Sequence, residues 1–205
     1  MVFAPLHYEP NYAYPLLVWL HGDGQDEQQL SRVMPQLSLR NFVAVAPRSD
    51  TTLENGKYSR HWQVTPCGVD AAAEKVRNVV ASALSNYNVN RAKIYLVGSQ
   101  SGGAMALRLA LEYPEFFAGV ASLGGSLSNN PRNFCGNLLN EFRHLRDMPV
   151  FLGTNEQDIP ATNAALCDLK LLHLAGMQIR FRQYQNEAPL CNEMLSDINR
   201  WVLGG

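Results

Sequence analysis

Apolar positions along the chain fall into short continuous runs, separated by longer stretches in which they recur every three or four residues. The runs are Pro15 to Leu20, Phe42 to Ala46, Ile94 to Val97, Ala118 to Leu123, Val150 to Leu152 and Ile179 to Tyr184. Short β-rich runs of this kind predict strands of a parallel sheet covered on both faces by helices. Helical spacing is clearest at Val76, Val79, Val80 and Leu84, in a helix expected to start from Asp70 as its cap. Further helices are predicted over Gln28 to Leu37, Gly103 to Glu112, Ala161 to Leu174 and Asn192 to Val202, the fourth of the five closed by Gly176. Alternating strands and helices predict an α/β three-layer sandwich, a mostly parallel sheet of about six to seven strands flanked by helices. The stretch from Gly125 to Asp147 lacks either period. It is expected to be a surface excursion with a short helix near Leu138, and no large lid is expected.

Ligands of such sheets collect outside the carboxyl ends of the strands. The segments after Leu20, Ala46, Val97, Leu123, Leu152 and Tyr184 should therefore share one rim. Residues on that rim are the ones that can meet.

Composition narrows the function classes. With 205 residues and no linker rich in Pro, Gly or Ser, the chain is expected to form a single domain over 1–205. The formal net charge is -1 and the basic residues are scattered, which argues against a nucleic-acid partner. No apolar run reaches the roughly 20 residues of a membrane span, and the start lacks the basic and apolar regions of a signal peptide. A cytoplasmic location is the expectation. Cys67, Cys135, Cys167 and Cys191 are widely spaced without interleaved histidines, so free thiols are expected, and neither a metal nor a cofactor.

The richest chemistry lies in Ile94-Tyr95-Leu96-Val97-Gly98-Ser99-Gln100-Ser101-Gly102-Gly103, a buried strand entering a helix through a tight turn. Gly98 and Gly102 have the spacing of a G-x-S-x-G nucleophile elbow, but Gln100 stands where the serine belongs. An amide cannot attack an acyl carbon as an alkoxide does. Two other segments accompany it in order: Leu17-Val18-Trp19-Leu20-His21-Gly22-Asp23-Gly24, and Gly153-Thr154-Asn155-Glu156-Gln157-Asp158-Ile159-Pro160. Together they resemble an α/β-hydrolase of the phospholipase/carboxylesterase type, over nearly the whole chain.

The resemblance implies an oxyanion hole built from the backbone N–H groups of Asp23 and Ser101, with Gly22 and Gly24 letting the loop turn. Asp23 would have to keep its carboxylate in solvent, away from a developing oxyanion. In the family's acid position stands Glu156, three residues after Gly153 and four before Pro160. It reads equally as an inherited acid and as a solvated loop carboxylate; its neighbour Asp158 is an alternative acid, though such a residue before Ile159-Pro160 is more often the cap of the next helix. The base should follow the last strand, yet Gln185 to Cys191 contains no histidine. His173 lies near the end of a helix leading back to the opposite edge, where it is expected to be a partly buried structural residue.

Two residues offer a substitute. Ser101 becomes a nucleophile if the elbow slips by one position, and His61, on the long loop after Ala46, becomes its base. His21 is a further imidazole on the rim, with a structural role in the family pattern. Candidate catalytic residues are thus Gln100, Ser101, Glu156 and His61; the pocket is expected to include His21, Gly22, Gly24, Ser99, Trp62, Asp158 and Pro189. The leading reading is a degenerate esterase-like domain that binds a small ester, acid or acylated ligand, or a protein partner. The alternative is an active serine ester or thioester hydrolase. About 14 residues precede the first parallel strand, so one or both of the fold's leading strands are expected to be absent.

Overall fold

The computed structural model describes residues 1–54, 57–127, 148–185 and 189–204. Its strands are β1 (Val2–Phe3), β2 (Tyr14–Leu20), β3 (Val43–Val45), β4 (Thr51–Glu54), β5 (Lys57–Arg60), β6 (Val89–Ser99), β7 (Gly119–Leu123), β8 (Pro149–Asn155) and β9 (Gln178–Tyr184). The described helices are α1 (Gln29–Leu37), α2 (Pro66–Asn86), α3 (Ser101–Glu112), α4 (Ile159–Leu174) and α5 (Asn192–Gly204), with a 3-10 turn at Pro114–Phe116. Seven strands form one sheet in the order β1-β3-β2-β6-β7-β8-β9. All neighbours are parallel except β1, which runs antiparallel to β3 along the edge. The α/β class and the mostly parallel sheet expected from the runs are both present.

Alternation along β2 explains why its run is unbroken. Leu16, Val18 and Leu20 pack on one side with α2, α3 and α4, while Leu17 and Trp19 pack on the other with α1 and α5. Both faces are dry, so every position must be apolar. Burying the central strands also fixes their carboxyl ends, and with them the rim.

Three expectations need correction. Helix α2 begins at Pro66 rather than at Asp70, because Thr65 is the cap: its hydroxyl accepts from Gly68 N at 3.2 Å, and Pro66 needs no amide partner there. The loop after β3 is not featureless, since β4 and β5 pair as an antiparallel hairpin. His173 is exposed rather than partly buried, because at position 173 the core-facing place on the last turn is taken by Leu172. Asp158 does cap α4, accepting from Ala161 N at 3.0 Å, and Gly176 closes that helix at φ +84.

Cys67 and Cys167 are exposed free thiols and Cys191 a buried one. Cys135 lies outside the described residues, as does nearly all of the stretch predicted to be an excursion. No helix among the described residues is long and apolar enough to cross a membrane. Those residues also contain no cluster of His, Cys, Asp and Glu able to hold a metal ion.

Candidate functional site

Gln100 sits at the tip of the turn from β6 into α3 with φ 51 and ψ -122. For a residue with a side chain this is strained backbone, held only where the surroundings leave no alternative. Here the surroundings are backbone at very short range. A Cβ on Gly98 would lie 2.2 Å from Gly102 O, one on Gly102 would lie 2.3 Å from Leu20 O, and one on Gly125 would lie 2.3 Å from Gln100 O. Gln100 N donates to Leu123 O at 2.8 Å, and Gln100 O accepts from Ala104 N at 3.0 Å. Backbone on every side thus holds the turn, and Gln100 at its tip, in this conformation.

The Gln100 side chain turns toward the loop after β2. Its Oε1 accepts from Asp23 N at 3.1 Å and presses on Gly22, where a Cβ would come within 2.6 Å of it. The Asp23 amide is thus engaged by the carboxamide oxygen of Gln100. Asp23 itself is exposed, so its carboxylate does face solvent.

Gln29 completes the loop and was not singled out from the sequence. Its buried Oε1 accepts from Trp19 Nε1 at 2.9 Å and from Gly22 N at 3.0 Å, tying the strand, the loop and α1 together. The available signal was positional: Gln29, Val33 and Leu37 share one face of α1, and a glutamine on an otherwise apolar buried face needs a polar partner.

His21 is fully buried. Its Nδ1 lies 2.9 Å from Gly22 O and its Nε2 accepts from Ser49 N at 3.2 Å, which fixes the neutral tautomer with the proton on Nδ1. Burial pushes its pKa below the usual 6.5. With both nitrogens engaged it serves as a tie between β2 and the loop after β3. The unfolded chain takes up a proton near pH 6.5 while the folded imidazole resists it, so the His21 contribution is complete above that pH and shrinks as pH falls through it. Urea unfolding of wild type and His21→Gln should show a steeper loss between about pH 6.5 and pH 5 in the wild type.

Trp62 is buried against the His21 ring, with centroids 5.3 Å apart. Its Nε1 donates to His21 O at 3.1 Å, and its backbone N donates to Ser101 Oγ at 3.2 Å. This brings the segment of His61 beside Ser101. His61 itself lines a small cavity of about 30 Å³ with Ser49, Asp50 and Lys75, separate from the spaces that reach Gln100. Gly24, at φ +68, accepts only a residue free of Cβ without strain, and its N donates to Arg60 O at 2.9 Å.

Two clefts meet at Gln100 and Pro189. One, about 310 Å³, is bounded by Gly124, Asn155, Gln157, Asp158 and Met194. The other, about 400 Å³, is bounded by Asp23, Gln25, Gln29, Arg32, Ser99 and Leu195. Glu156 lines neither cleft and is exposed, its backbone N donating to Tyr184 O at 3.0 Å. The structure thus gathers Asp23, Gly22, Ser99, Gln100, Asp158 and Pro189 at one place and sets Glu156 at its margin.

The Esterase family, described as "Putative esterase", matches residues 1–166, a span that includes the His21-Gly22 loop and the elbow. The chain belongs to this family. "Putative esterase NocK" of Nocardia uniformis subsp. tsuyamanensis is 32% identical over 123 residues, 57% of this chain; that match spans only 34% of its own length. "Carboxylesterase SOBER1" of Arabidopsis thaliana is 24% identical over 211 residues, covering 93% of this chain and 90% of its own. Its crystal structure superposes with a TM-score of 0.73 at 22% identity, covering 94% of this chain and 99% of that one. The shared fold is that of the α/β-hydrolase esterases.

Proposed function

We propose that this esterase-family chain binds a small ester, acid or acylated ligand at the Gln100 rim without hydrolysing it. The observation that carries the reading is the 3.1 Å bond from Asp23 N to Gln100 Oε1. The nucleophile position holds an amide, and that amide fills the place in which an acyl oxygen would be stabilised. No histidine follows β9 in the sequence. Loss of nucleophile and base together costs about 10⁶ in kcat, and binding with an oxyanion hole alone leaves only ~10³ to 10⁴ over water. What such a site retains is recognition: the Gln100 amide NH₂ and the Ser101 N–H are donors suited to a carbonyl or carboxylate oxygen.

The test pairs labelling with turnover. Wild type and Gln100→Ser should both resist a fluorophosphonate probe and show no burst with p-nitrophenyl butyrate, since a serine without a base stays weakly nucleophilic. Butyrate titrated into labelled wild-type protein should shift the Asp23 amide and the Gln100 side-chain NH₂ resonances. Strong activity of Gln100→Ser would sink the claim that the base is missing.

One contact favours a second reading. Ser101 Oγ lies 3.2 Å from Trp62 N, which places the residue before it, His61, in the same neighbourhood. Hydrolysis by Ser101 with His61 as base would give fluorophosphonate labelling of the wild type, removed by Ser101→Ala and by His61→Ala.

A further inference from the structure

An apolar cavity lies at the other end of the sheet, among the described residues. It is a groove of about 320 Å³ between α2, α3 and the start of β6, within the size range of small-molecule sites. Ile94 on its floor stands six residues before Gln100 on an extended strand, about 20 Å away. Nothing in the proposed reading of the Gln100 rim uses it.

The α2 wall has a definite pattern. Ala73, Val76, Arg77, Val80, Ala81 and Leu84 follow the i, i+3, i+4, i+7, i+8, i+11 spacing of a single helical stripe. That stripe runs about 16 Å along the helix. Val80, Leu84 and Phe117 are only partly buried and Phe116 is 49% exposed, so the apolar lining continues out to water. A surface so long, narrow and apolar is complementary to an extended hydrocarbon chain.

Charge at the mouth selects the head group. The lining includes the exposed Arg77 and Arg91 against a single acid, Glu115. The Arg77 guanidinium stands over the Tyr113 ring, 5.4 Å from its centroid, which orients the fork at the groove's edge. An excess of positive charge beside an apolar slot fits a chain ending in a carboxylate. We propose that this groove binds a medium-chain alkanoate, its tail along α2 and its carboxylate at Arg77 and Arg91.

Decanoate titrated into methyl-labelled protein should shift Val76, Val80, Leu84, Ile94 and Leu109 together. An exposed ion pair contributes up to about 1 kcal/mol, so decan-1-ol should bind about fivefold more weakly, and Arg91→Glu or Arg77→Glu should weaken decanoate by at least as much. Ala81→Trp should fill the slot and abolish the shifts. A circular-dichroism melt reports whether it folds, and the two arginine variants carry the test if it does not. Shifts confined to the methyls of Met194 and Leu195 at the Gln100 rim, equal binding of decanol, or indifference to both charge reversals would overturn the proposal. So would a chain that self-associates through this face and takes up no decanoate. None of these readouts depends on hydrolysis or on butyrate binding, so this site and the Gln100 rim stand or fall separately.

Discussion

Gly102→Ala is expected to cost about 3 kcal/mol or more, at the upper end of what overpacking does. The new Cβ would lie 2.3 Å from Leu20 O and 2.4 Å from His21 O, and neither obstacle is a flexible side chain. Both carbonyls belong to the end of the central strand β2 and to the loop that carries Asp23. Relief would require separating α3 from that strand, which breaks the contact that holds Gln100 in its strained conformation. In urea unfolding the midpoint should fall sharply, or the variant should fail to accumulate as folded protein. Gly204→Ala, with nothing within 4 Å of its Cβ, is the matched control and should stay within about 0.5 kcal/mol of wild type. A Gly102→Ala protein of ordinary stability would show that the elbow has room to open.

Trp62→Ala should cost about 3 to 5 kcal/mol, the range for emptying a large buried aromatic. For a chain of this length each kcal/mol moves Tm by about 2–4 °C, so a fall of about 10 °C is expected. Two side-chain effects add at this position: the ring packs on His21 and its Nε1 satisfies His21 O, whereas the backbone bond from Trp62 N to Ser101 Oγ survives the truncation. Trp62→Phe separates the first two: the ring remains, but a buried carbonyl loses its donor, at about 1 to 3 kcal/mol. Thermal unfolding of the pair measures the split. If Trp62→Phe were as stable as the wild type, the indole bond to His21 O would carry nothing.

Much of the fold was legible because its physical cause is local. The run Pro15 to Leu20 could be read as a strand buried on both faces because no polar residue interrupts it, and β2 indeed packs on both sides. Asp158 could be read as a cap because it directly precedes Ile159-Pro160, where a missing amide hydrogen does no harm. Thr65-Pro66 carries the same signal at the start of α2. Asp70 lies about one turn inside that helix.

The hairpin of β4 and β5 was missed because its four-residue strands contain too few apolar positions to reveal a period. His173 reads as partly buried because it shares a helix face with Leu166 and Leu169. Which face is covered depends on the neighbour that arrives, and at that turn the core takes Leu172.

At the site, the sequence by itself determined the inventory: an elbow frame of Gly98 and Gly102 with Gln100 at its tip, a His21-Gly22 loop, and no histidine after the last strand. These follow from residue type and order, because an amide lacks a nucleophilic oxygen and an absent imidazole cannot accept a proton. Tertiary structure alone decided what the amide does. Asp23 and Gln100 lie 77 residues apart in the chain, and only the packing of α3 beneath β2 brings Asp23 N within 3.1 Å of Gln100 Oε1. The same holds for Gln29, whose two bonds come from a strand and a loop that its own helix does not specify. Hydrogen bonds reach about 3 Å and depend on direction, so their partners are set by where whole elements come to rest, after the hydrophobic pattern has decided which elements exist.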